Sequence, residues 1–372
     1  MSDILRGTTR KLASLAVAVV LLAAVRTSGQ VLIRPSRNEK PLPVNAAERT
    51  KVIEALLKQL DDRYVFPEVA TKMRQAIEAR LAQKEYDAVT TGQDLAARLT
   101  TDLQGVSKDK HLRVLCHTEK IPAPFKRART PKELERMHQV GQQLNGGYVR
   151  AERLAGNVGY LRVDGFMNAR DAAEPAAAAM SFLAHTDALI IDLRYNGGGA
   201  PESVALLCSY FFDKKPVHLN DLYWRKGNRT QEFWTLKDLP GKRYLGKPVY
   251  LLTSHHTFSG GEEFAYDLQS LKRATIIGET TGGGAHPGGA VPVGEHFMMF
   301  IPSGRAINPI TKTDWEGTGV KPDIAVAADK ALETAHQLAI KHLLAKAVDE
   351  ETRRLIQRDL DRAKDLKRNP AR

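Results

Sequence analysis

The sequence predicts an α/β core that follows a small N-terminal domain of three helices. Apolar residues recur at helical spacing between residues 46 and 103. From residue 158 onwards, short apolar runs typical of buried strands alternate with segments of helical periodicity. Such an alternation indicates a sheet with helices packed on its faces. The 372 residues of the chain are enough for both parts.

The overall composition is that of an ordinary globular protein, with 42% hydrophobic and 26% charged residues. The formal net charge of +12 raises the question of a nucleic-acid partner. The basic residues are spread along the chain, however, and the sequence has neither zinc-finger spacing nor an aromatic-basic platform for single strands. We therefore expect no nucleic-acid partner and attribute the charge to solubility.

The N-terminus resembles a secretory signal peptide. Three basic residues precede an apolar stretch at residues 12–25, and small residues follow at 27–29. We predict a signal peptide at residues 1–29, a linker at residues 30–45, and a periplasmic or extracellular location. The apolar stretch is short for a spanning helix, so an uncleaved anchor is the alternative, and membrane contact would be confined to this segment.

The two cysteines, Cys116 and Cys208, allow two interpretations. They pair in an oxidising compartment, or they are two buried free thiols. Two cysteines do not frame a disulfide-stabilised fold, so neither alternative changes the predicted fold.

Residues 46–115 are predicted to form the N-terminal helical domain, whose helices are separated by Pro67 and by a Thr/Gly turn. The domain ends in a loop that carries His111 and enters a short strand. A lone loop histidine is usually a solvated surface group, so this segment alone assigns no function to His111. A connection at residues 116–155 follows and contains one helix at residues 131–143.

The core is predicted to span residues 156–330, followed by a C-terminal helix and charged tail at residues 331–372. Its strands are predicted at residues 158–163, 187–194, 249–252, 274–277, 294–301 and 323–326. Its helices are predicted at residues 172–184, 201–212 and 262–270, and the C-terminal helix is predicted at about residues 330–347.

Ser259 lies at a predicted strand-to-helix junction. The free N–H groups and positive dipole of a helix's first turn can stabilise an oxyanion. The two glycines after Ser259 let an acyl group approach the backbone. The alternative is structural: Ser259 is an N-cap, and Glu262 completes a capping box with it.

Two glycine-rich turns, at residues 196–199 and 282–284, each follow a predicted strand. A phosphate loop needs a lysine and Ser/Thr after its glycines, and a dinucleotide loop needs G-x-G-x-x-G. Neither pattern is present, so we expect no cofactor of this kind. Either the backbone N–H groups of these turns hold an oxyanion beside Ser259, or the glycines serve tight turns that need positive φ.

Four motifs occur in one order along the core. They read D-L-R-Y-N-G-G-G at residues 192–199, T-F-S-G-G-E-E-F-A at 257–265, G-E-T-T-G-G at 278–283 and E-G-T-G-V-K-P-D-I at 316–324. This succession resembles the tail-specific, or C-terminal processing, serine peptidases, in the branch of the interphotoreceptor retinoid-binding protein repeats and the tricorn protease core. The resemblance covers residues 156–326, and the helical part before it resembles the N-terminal domain of that branch.

The resemblance implies a fold and a set of site residues. The core would be a ββα-repeat fold related to ClpP and crotonase. Ser259 matches the nucleophile of the family's T-x-S-x-x-E motif. The N–H of Gly260, together with an N–H of the turn at Gly197 and Gly198, matches the family's oxyanion hole.

The general base departs from the tail-specific pattern, because residues 278–284 contain no lysine. The tricorn-like branch uses a histidine before the core and a glutamate near the last motif, and these positions resemble His111 and Glu316. His255 and His256 are competitors, since they are close to Ser259 in the chain. No metal site is expected, because this histidine pair has no H-E-x-x-H or cysteine companion.

The function implied by the resemblance is hydrolysis of exported polypeptides through an acyl-enzyme on Ser259, without a cofactor. Residues 116–155 leave no room for a typical PDZ module, so an extended substrate strand between the helical domain and the core is expected instead. The main alternative is a non-catalytic module on the same fold that binds retinoid-like or fatty-acid-like ligands. An α/β-hydrolase esterase is disfavoured because Thr257 replaces the glycine of a nucleophile elbow, and a crotonase-like acyl-CoA enzyme has no cofactor signal. The oligomeric state stays open.

Overall fold

The computed structural model describes residues 24–25, 32–33, 40–121 and 130–368. Strands β1 (Ala24–Val25) and β2 (Leu32–Ile33) pair with each other in antiparallel fashion. The remainder of the predicted signal peptide, including its small residues at 27–29, lies outside the described residues. Within the described ranges, no helix is both long enough and apolar enough to cross a bilayer.

The predicted three-helix front part is confirmed by α1 (Ala46–Arg63), α2 (Pro67–Ala82) and α3 (Gly92–Ser107). Asn45 caps α1 through its side chain, and the helix begins where this cap satisfies a free backbone N–H. Pro67 begins α2, because its ring fits the first turn of a helix. The apolar stripes of the three helices face one another and form a buried cluster.

This cluster is completed by strands of the core. Strand β3 (Arg113–Cys116) pairs antiparallel with β12 (Phe297–Pro302), and β12 pairs with β11 (Gly288–Pro292). The pairing with β12 draws Gly288 and Gly289 into a strand. The helical part and the core therefore share one small sheet, and the loop that carries His111 lies at their junction.

The main sheet has six strands in the order β14-β10-β9-β6-β5-β4. All neighbours are parallel except β4 and β5. The strands are β4 (Tyr148–Leu154), β5 (Val158–Val163), β6 (Ala188–Asp192), β9 (Val249–Thr253), β10 (Thr275–Gly278) and β14 (Ile324–Ala325). Every residue of the central strands β6 and β9 is buried, which explains their continuous apolar runs.

The helices that follow the front part are α4 (Pro131–Gln143), α5 (Ala169–Leu183), α6 (Pro201–Ser209), α7 (Gly260–Ser270), α8 (Ala331–Lys346) and α9 (Glu350–Arg368). Four of them cover the two faces of the main sheet. Helices α5, α6 and α7 pack on one face, and α8 packs on the other. The α/β core behind a helical front part is thus confirmed, with the ββα-type arrangement that the resemblance implies. The charged tail is largely helical, and Asp359 of α9 binds the N–H of Gly156.

A third sheet was missed by sequence reasoning. It consists of β13 (Gly304–Ile307), β7 (His218–Trp224) and β8 (Arg229–Trp234), in that order. Its strands mix charged, aromatic and half-exposed residues, so they have no clear apolar period. Cys116 and Cys208 are both buried and are not disulfide-bonded to each other, which answers the question left open by the sequence.

Candidate active site

Ser259 connects β9 to α7 in a strained turn. Its backbone angles are φ 51° and ψ −121°, in a region that non-glycine residues rarely adopt. The Ser259 N–H donates to Glu262 Oε2 at 2.8 Å, and the N–H of Phe258 donates to the carbonyl of Asn196 at 2.9 Å. Such strain persists only where the surroundings fix it, and it concentrates at functional sites.

Glu262 is the fully buried residue that holds this turn. Its carboxylate accepts hydrogen bonds from the N–H groups of Ser259, Gly283 and Gly284 and from the Thr281 hydroxyl. Burial raises the pKa of Glu262 to about 7, although these four donors favour the ionised form. Glu262 therefore connects the Ser259 turn to the downstream glycine segment. Its hydrogen bond from the Ser259 N–H is one half of the predicted capping box.

The glycine turn at residues 196–199 lies directly against Ser259. Gly198 has φ 99°, and a Cβ at this position would stand 2.7 Å from Ser259 Cβ and 2.9 Å from the nitrogen of Gly260. Only glycine fits so close an approach. The side chain of Asn196 fixes the turn by accepting the Gly198 N–H at 2.8 Å, and the Gly197 N–H points to the carbonyl of Asp164 at 3.4 Å.

Both N–H groups expected from this turn thus already have acceptors, whereas two other N–H groups do not. Within residues 130–368, the N–H of Gly199 and that of Gly260 form no hydrogen bond. A Cβ on Gly260 would stand 3.0 Å from the nitrogen of Gly199, so the two backbones are in close contact. Gly260 also opens helix α7, where backbone N–H groups are free and the dipole is positive.

His111 is buried in the loop between α3 and β3. Its ring packs on Phe258, with the centroids 4.6 Å apart, and on Phe300 at 5.9 Å. Its Nδ1 atom is buried without a hydrogen-bond partner in the described part of the chain. Burial lowers the pKa of His111 to about 4, so the ring is neutral at pH 7 and can accept a proton.

Glu316 and Asp109 lie beside His111, and the three side chains place ligand atoms within 4.8 Å of one another. Glu316 Oε2 accepts the N–H of Ala285 at 2.5 Å, while Oε1 is buried without a partner among the described residues. Burial, aided by the charge of Asp109, raises the pKa of Glu316 to about 8.

The structure thus brings His111 and Glu316 together. The His111 ring, however, contacts the chain neighbour of Ser259 and, among the described residues, is not hydrogen-bonded to Ser259. Phe258, the residue before Ser259, is the one that His111 contacts. No hydrogen bond joins the His111 ring to Ser259 in the described structure.

His286 belongs to the same cluster and was missed by sequence reasoning. Its Nδ1 lies 2.7 Å from Asp109 Oδ2 and 3.5 Å from Glu316 Oε2. The available signal was its place two residues after the glycine segment at residues 282–284, but none of the four motifs includes it. Its partner Asp109 is 177 residues away in the chain, so no local pattern reveals the contact.

The competing histidines lie elsewhere. His255 is exposed, and its Nδ1 lies 3.0 Å from Glu279 Oε2. The ring centroids of His255 and His256 are 3.9 Å apart. Neither is hydrogen-bonded to Asp109 or Glu316 in the described residues.

A lysine does reach the downstream glycine segment, although it comes from the helical part. Lys110 Nζ donates to the carbonyl of Gly282 at 2.5 Å. Its ammonium group is thus engaged with the backbone at an exposed position, next to His111 in the chain.

Two family models match this chain. One, described as peptidase family S41, matches residues 157–326. The other, described as the N-terminal domain of Peptidase_S41 in eukaryotic IRBP, matches residues 45–146, and together they match more than half of the chain. The chain belongs to peptidase family S41.

Curated relatives of this S41 chain include two named proteases. It is 27% identical over 179 residues to the carboxy-terminal-processing protease of Bartonella bacilliformis, covering 47% of this chain and 40% of that protein. It is 26% identical over 211 residues to the carboxy-terminal processing protease CtpB of Bacillus subtilis, covering 55% of this chain and 42% of that protein. The chain therefore spans less than half the length of these relatives.

Among solved structures, the S41 chain is similar in fold to a candidate peptidase from Parabacteroides merdae. The TM-score is 0.53 at 20% sequence identity, and the match covers 79% of this chain and 97% of that one. At this level of identity the likeness concerns the fold alone.

Proposed function

We propose that this S41 chain is a serine-type peptidase that hydrolyses peptide bonds through an acyl-enzyme on Ser259. The observation that carries the proposal is the Ser259 turn itself. It combines a strained serine at the start of α7 with two free backbone N–H groups, from Gly199 and Gly260, beside it. A nucleophile next to preorganised donors is what acyl transfer requires.

In the proposed reaction, Ser259 Oγ attacks the peptide carbonyl while His111 accepts the hydroxyl proton. His111 then returns this proton to the leaving amine, and a water molecule activated by the same ring releases the acyl group. Glu316 stabilises the His111 cation that forms in between, since their ligand atoms lie within 4.8 Å. Hydrogen bonds between such groups often form only when substrate is bound, so the separation of His111 and Ser259 is compatible with these roles.

We assign the oxyanion hole to the N–H groups of Gly260 and Gly199. The sequence pointed to Gly197 or Gly198 as the second donor, but their N–H groups are already accepted by Asp164 and Asn196. Gly198 instead contributes by leaving room for Ser259. The hole is then formed by one helix start and one glycine turn.

The proposed substrate is an exported polypeptide, bound in extended form. His111 comes from the junction of the helical part and the core, whereas Ser259 comes from the core, so a substrate would lie where these parts meet. The names of the two relatives, both carboxy-terminal-processing proteases, support a polypeptide substrate. The signal-like N-terminus supports a periplasmic or extracellular location.

Peptide hydrolysis by four purified proteins tests this function: the wild type, Ser259→Ala, His111→Ala and His255→Ala. We expect turnover by the wild type and by His255→Ala, and loss of more than about 1000-fold in the other two. Unchanged turnover by folded Ser259→Ala would refute the proposal. Absence of turnover in the wild type, together with saturable fatty-acid binding, would support the ligand-binding alternative.

A further inference from the structure

His286 lies at the centre of a buried polar cluster next to the proposed base. Its Nδ1 approaches Asp109 Oδ2 at 2.7 Å and Glu316 Oε2 at 3.5 Å. Tyr64 at the end of α1 donates its hydroxyl to the same Asp109 oxygen at 3.2 Å. Asp109 also accepts the backbone N–H of His111 at 3.0 Å, so a single carboxylate connects His286 to the His111 loop.

The cluster brings two carboxyl groups into a buried site with one balancing cation. In the described structure, no lysine or arginine forms a salt bridge with Asp109 or Glu316, whereas His286 approaches both. Two like charges in a buried site repel strongly unless a cation compensates them. Burial alone would lower the pKa of His286, but the hydrogen bond and charge of Asp109, aided by Glu316, raise it above its ordinary value.

We propose that His286 is a positioning residue whose imidazolium joins Asp109 to Glu316 and so holds the Glu316 carboxylate beside His111. This inference rests on the proposed peptidase function and adds a residue to its site. His286 does not contact Ser259 in the described hydrogen bonds and acts through Glu316.

The surroundings fix the ring in this bridging position. The Phe66 and His286 rings pack in a T-shaped arrangement, with their centroids 5.3 Å apart. The Arg305 guanidinium lies over the Phe66 ring, 5.7 Å from its centroid. Next to His286 in the chain, the N–H of Ala285 binds Glu316 at 2.5 Å. One short segment thus contacts Glu316 through both its backbone and its side chain.

The titratable and charged groups that face this ring come from four places. They are Asp109 and His111 in the loop before β3, Tyr64 after α1, Asp314 just before the last motif with Glu316 at its first position, and Arg305 behind Phe66. Loss of the imidazolium would leave the carboxylates unbalanced. The ionisation of Glu316 would then require a higher pH, because His286 is the cation that lowers the pKa of this carboxyl.

The test compares His286→Gln, which keeps a donor but loses the charge, with His286→Lys, which keeps the charge. His336→Gln is the matched control, because His336 is half-buried on α8 and, among the described residues, its side chain is hydrogen-bonded only to the carbonyl of Ala155. The measurements are kcat and KM for peptide hydrolysis from pH 5 to 10, with thermal unfolding as the check of folding.

For His286→Gln we expect kcat to fall roughly tenfold or more, with KM changed less than about twofold. In the proposed mechanism, kcat/KM rises with pH as Glu316 ionises. We expect the midpoint of this rise to move to higher pH by about half a pH unit or more in His286→Gln. His286→Lys should restore the position of this rise, and His336→Gln should match the wild type. A folded His286→Gln protein with the wild-type pH profile would overturn the inference, as would equal effects of Gln and Lys.

A second readout does not need hydrolysis. In the Ser259→Ala background, the Glu316 carboxyl can be titrated by ¹³C NMR with and without His286→Gln. We expect its pKa to rise when His286 is replaced, and an unchanged pKa would overturn the inference. A wild type without peptidase activity, combined with a shifted Glu316 pKa, would refute the proposed function but leave the ion cluster established.

Discussion

At the residue scale, Gly198 sets how closely the glycine turn approaches Ser259, the proposed nucleophile. A Cβ there would stand 2.7 Å from Ser259 Cβ, and its φ of 99° disfavours any side chain. We predict that Gly198→Ala lowers kcat/KM by on the order of 100-fold, because the turn must move away from Ser259 and the Gly199 N–H moves with it. Gly105→Ala is the control, since Gly105 in α3 has open space around it and should retain full activity.

A second prediction at the residue scale concerns how much Glu262 contributes to the stability of the fold. The Glu262 carboxylate accepts all four of its hydrogen bonds, two on each oxygen, so in Glu262→Gln the NH₂ group of the amide would face two donors from which it cannot accept. We expect a loss of about 2–4 kcal/mol in the free energy of unfolding, measured by urea denaturation. Glu333→Gln on the surface of α8 should change stability by less than about 0.5 kcal/mol. Equal stability of the two variants would contradict the anchoring role of Glu262.

The pH dependence of hydrolysis follows from His111 and Glu316. The pKa of His111 is lowered to about 4, so this ring is ready as a base over the whole neutral range. The pKa of Glu316 is raised to about 8, and only its ionised form stabilises the His111 cation. We therefore predict that kcat/KM rises with pH up to about 8, and that Glu316→Gln removes this rise while lowering activity. A rise centred near pH 6.5 that persists in Glu316→Gln would contradict these assignments.

At the scale of the element, helix α7 carries Ser259 at its start and two buried carboxyl groups on its inner side. Asn220 of β7 donates to Glu263 at 3.2 Å, and Asn308 donates to Asp267 at 3.3 Å. Asp267 Oδ2 has no partner among the described residues. Burial raises the pKa of both carboxyl groups, to about 7 for Glu263, so the folded protein binds protons that the unfolded chain has released.

The two buried carboxyl groups of α7, Glu263 and Asp267, make the stability of the folded protein depend on pH. With folded pKa values above the unfolded ones, this pair contributes stability at acidic pH that is lost as pH rises from about 4 to 7 and beyond. We predict that Asp267→Asn increases the free energy of unfolding at pH 8 by about 1–3 kcal/mol and has less effect at pH 5. Urea denaturation at both pH values measures this, with Asp87→Asn on the surface as control. An Asp267→Asn protein that is destabilised equally at both pH values would contradict this prediction. It would show that Glu263 and Asp267 are ionised in the folded protein and stabilise it in that form.

At the scale of the whole molecule, the site is assembled by the sheet that joins the helical part to the core. Val114 of β3 pairs with Met299 of β12, and the N–H of Val65 after α1 donates to the carbonyl of Pro302 at 3.0 Å. These contacts place the His111 loop against Phe258. The proposed base, His111, and the proposed nucleophile, Ser259, are 148 positions apart in the numbering, and their proximity thus depends on one long-range pairing.

The parts of this arrangement that could be predicted are those written in local patterns. Strands β6 and β9 are buried on both faces and therefore appear as continuous apolar runs. The three front helices were visible from their apolar period, and the Ser259 turn from its motif. The roles of Ser259, His111 and Glu316 stay predictions, supported by the burial and contacts described above.

The parts that could not be predicted depend on long-range contacts. The bridge from His286 to Asp109 spans 177 residues, and no spacing encodes it. The proposed assignment of the second oxyanion donor to Gly199 rather than Gly197 or Gly198 rests on which backbone N–H groups already have acceptors, and the sequence does not show this. Strands β7 and β8 were missed because their residues alternate neither in polarity nor in burial with a period of two.

The central claim, that Ser259 is an activated nucleophile, is tested most directly by intact-mass spectrometry after treatment with a fluorophosphonate. We predict one adduct on the wild-type chain, located at Ser259 by peptide mapping and absent from Ser259→Ala. An unmodified wild-type chain, or an adduct on another residue that persists in Ser259→Ala, would contradict the claim.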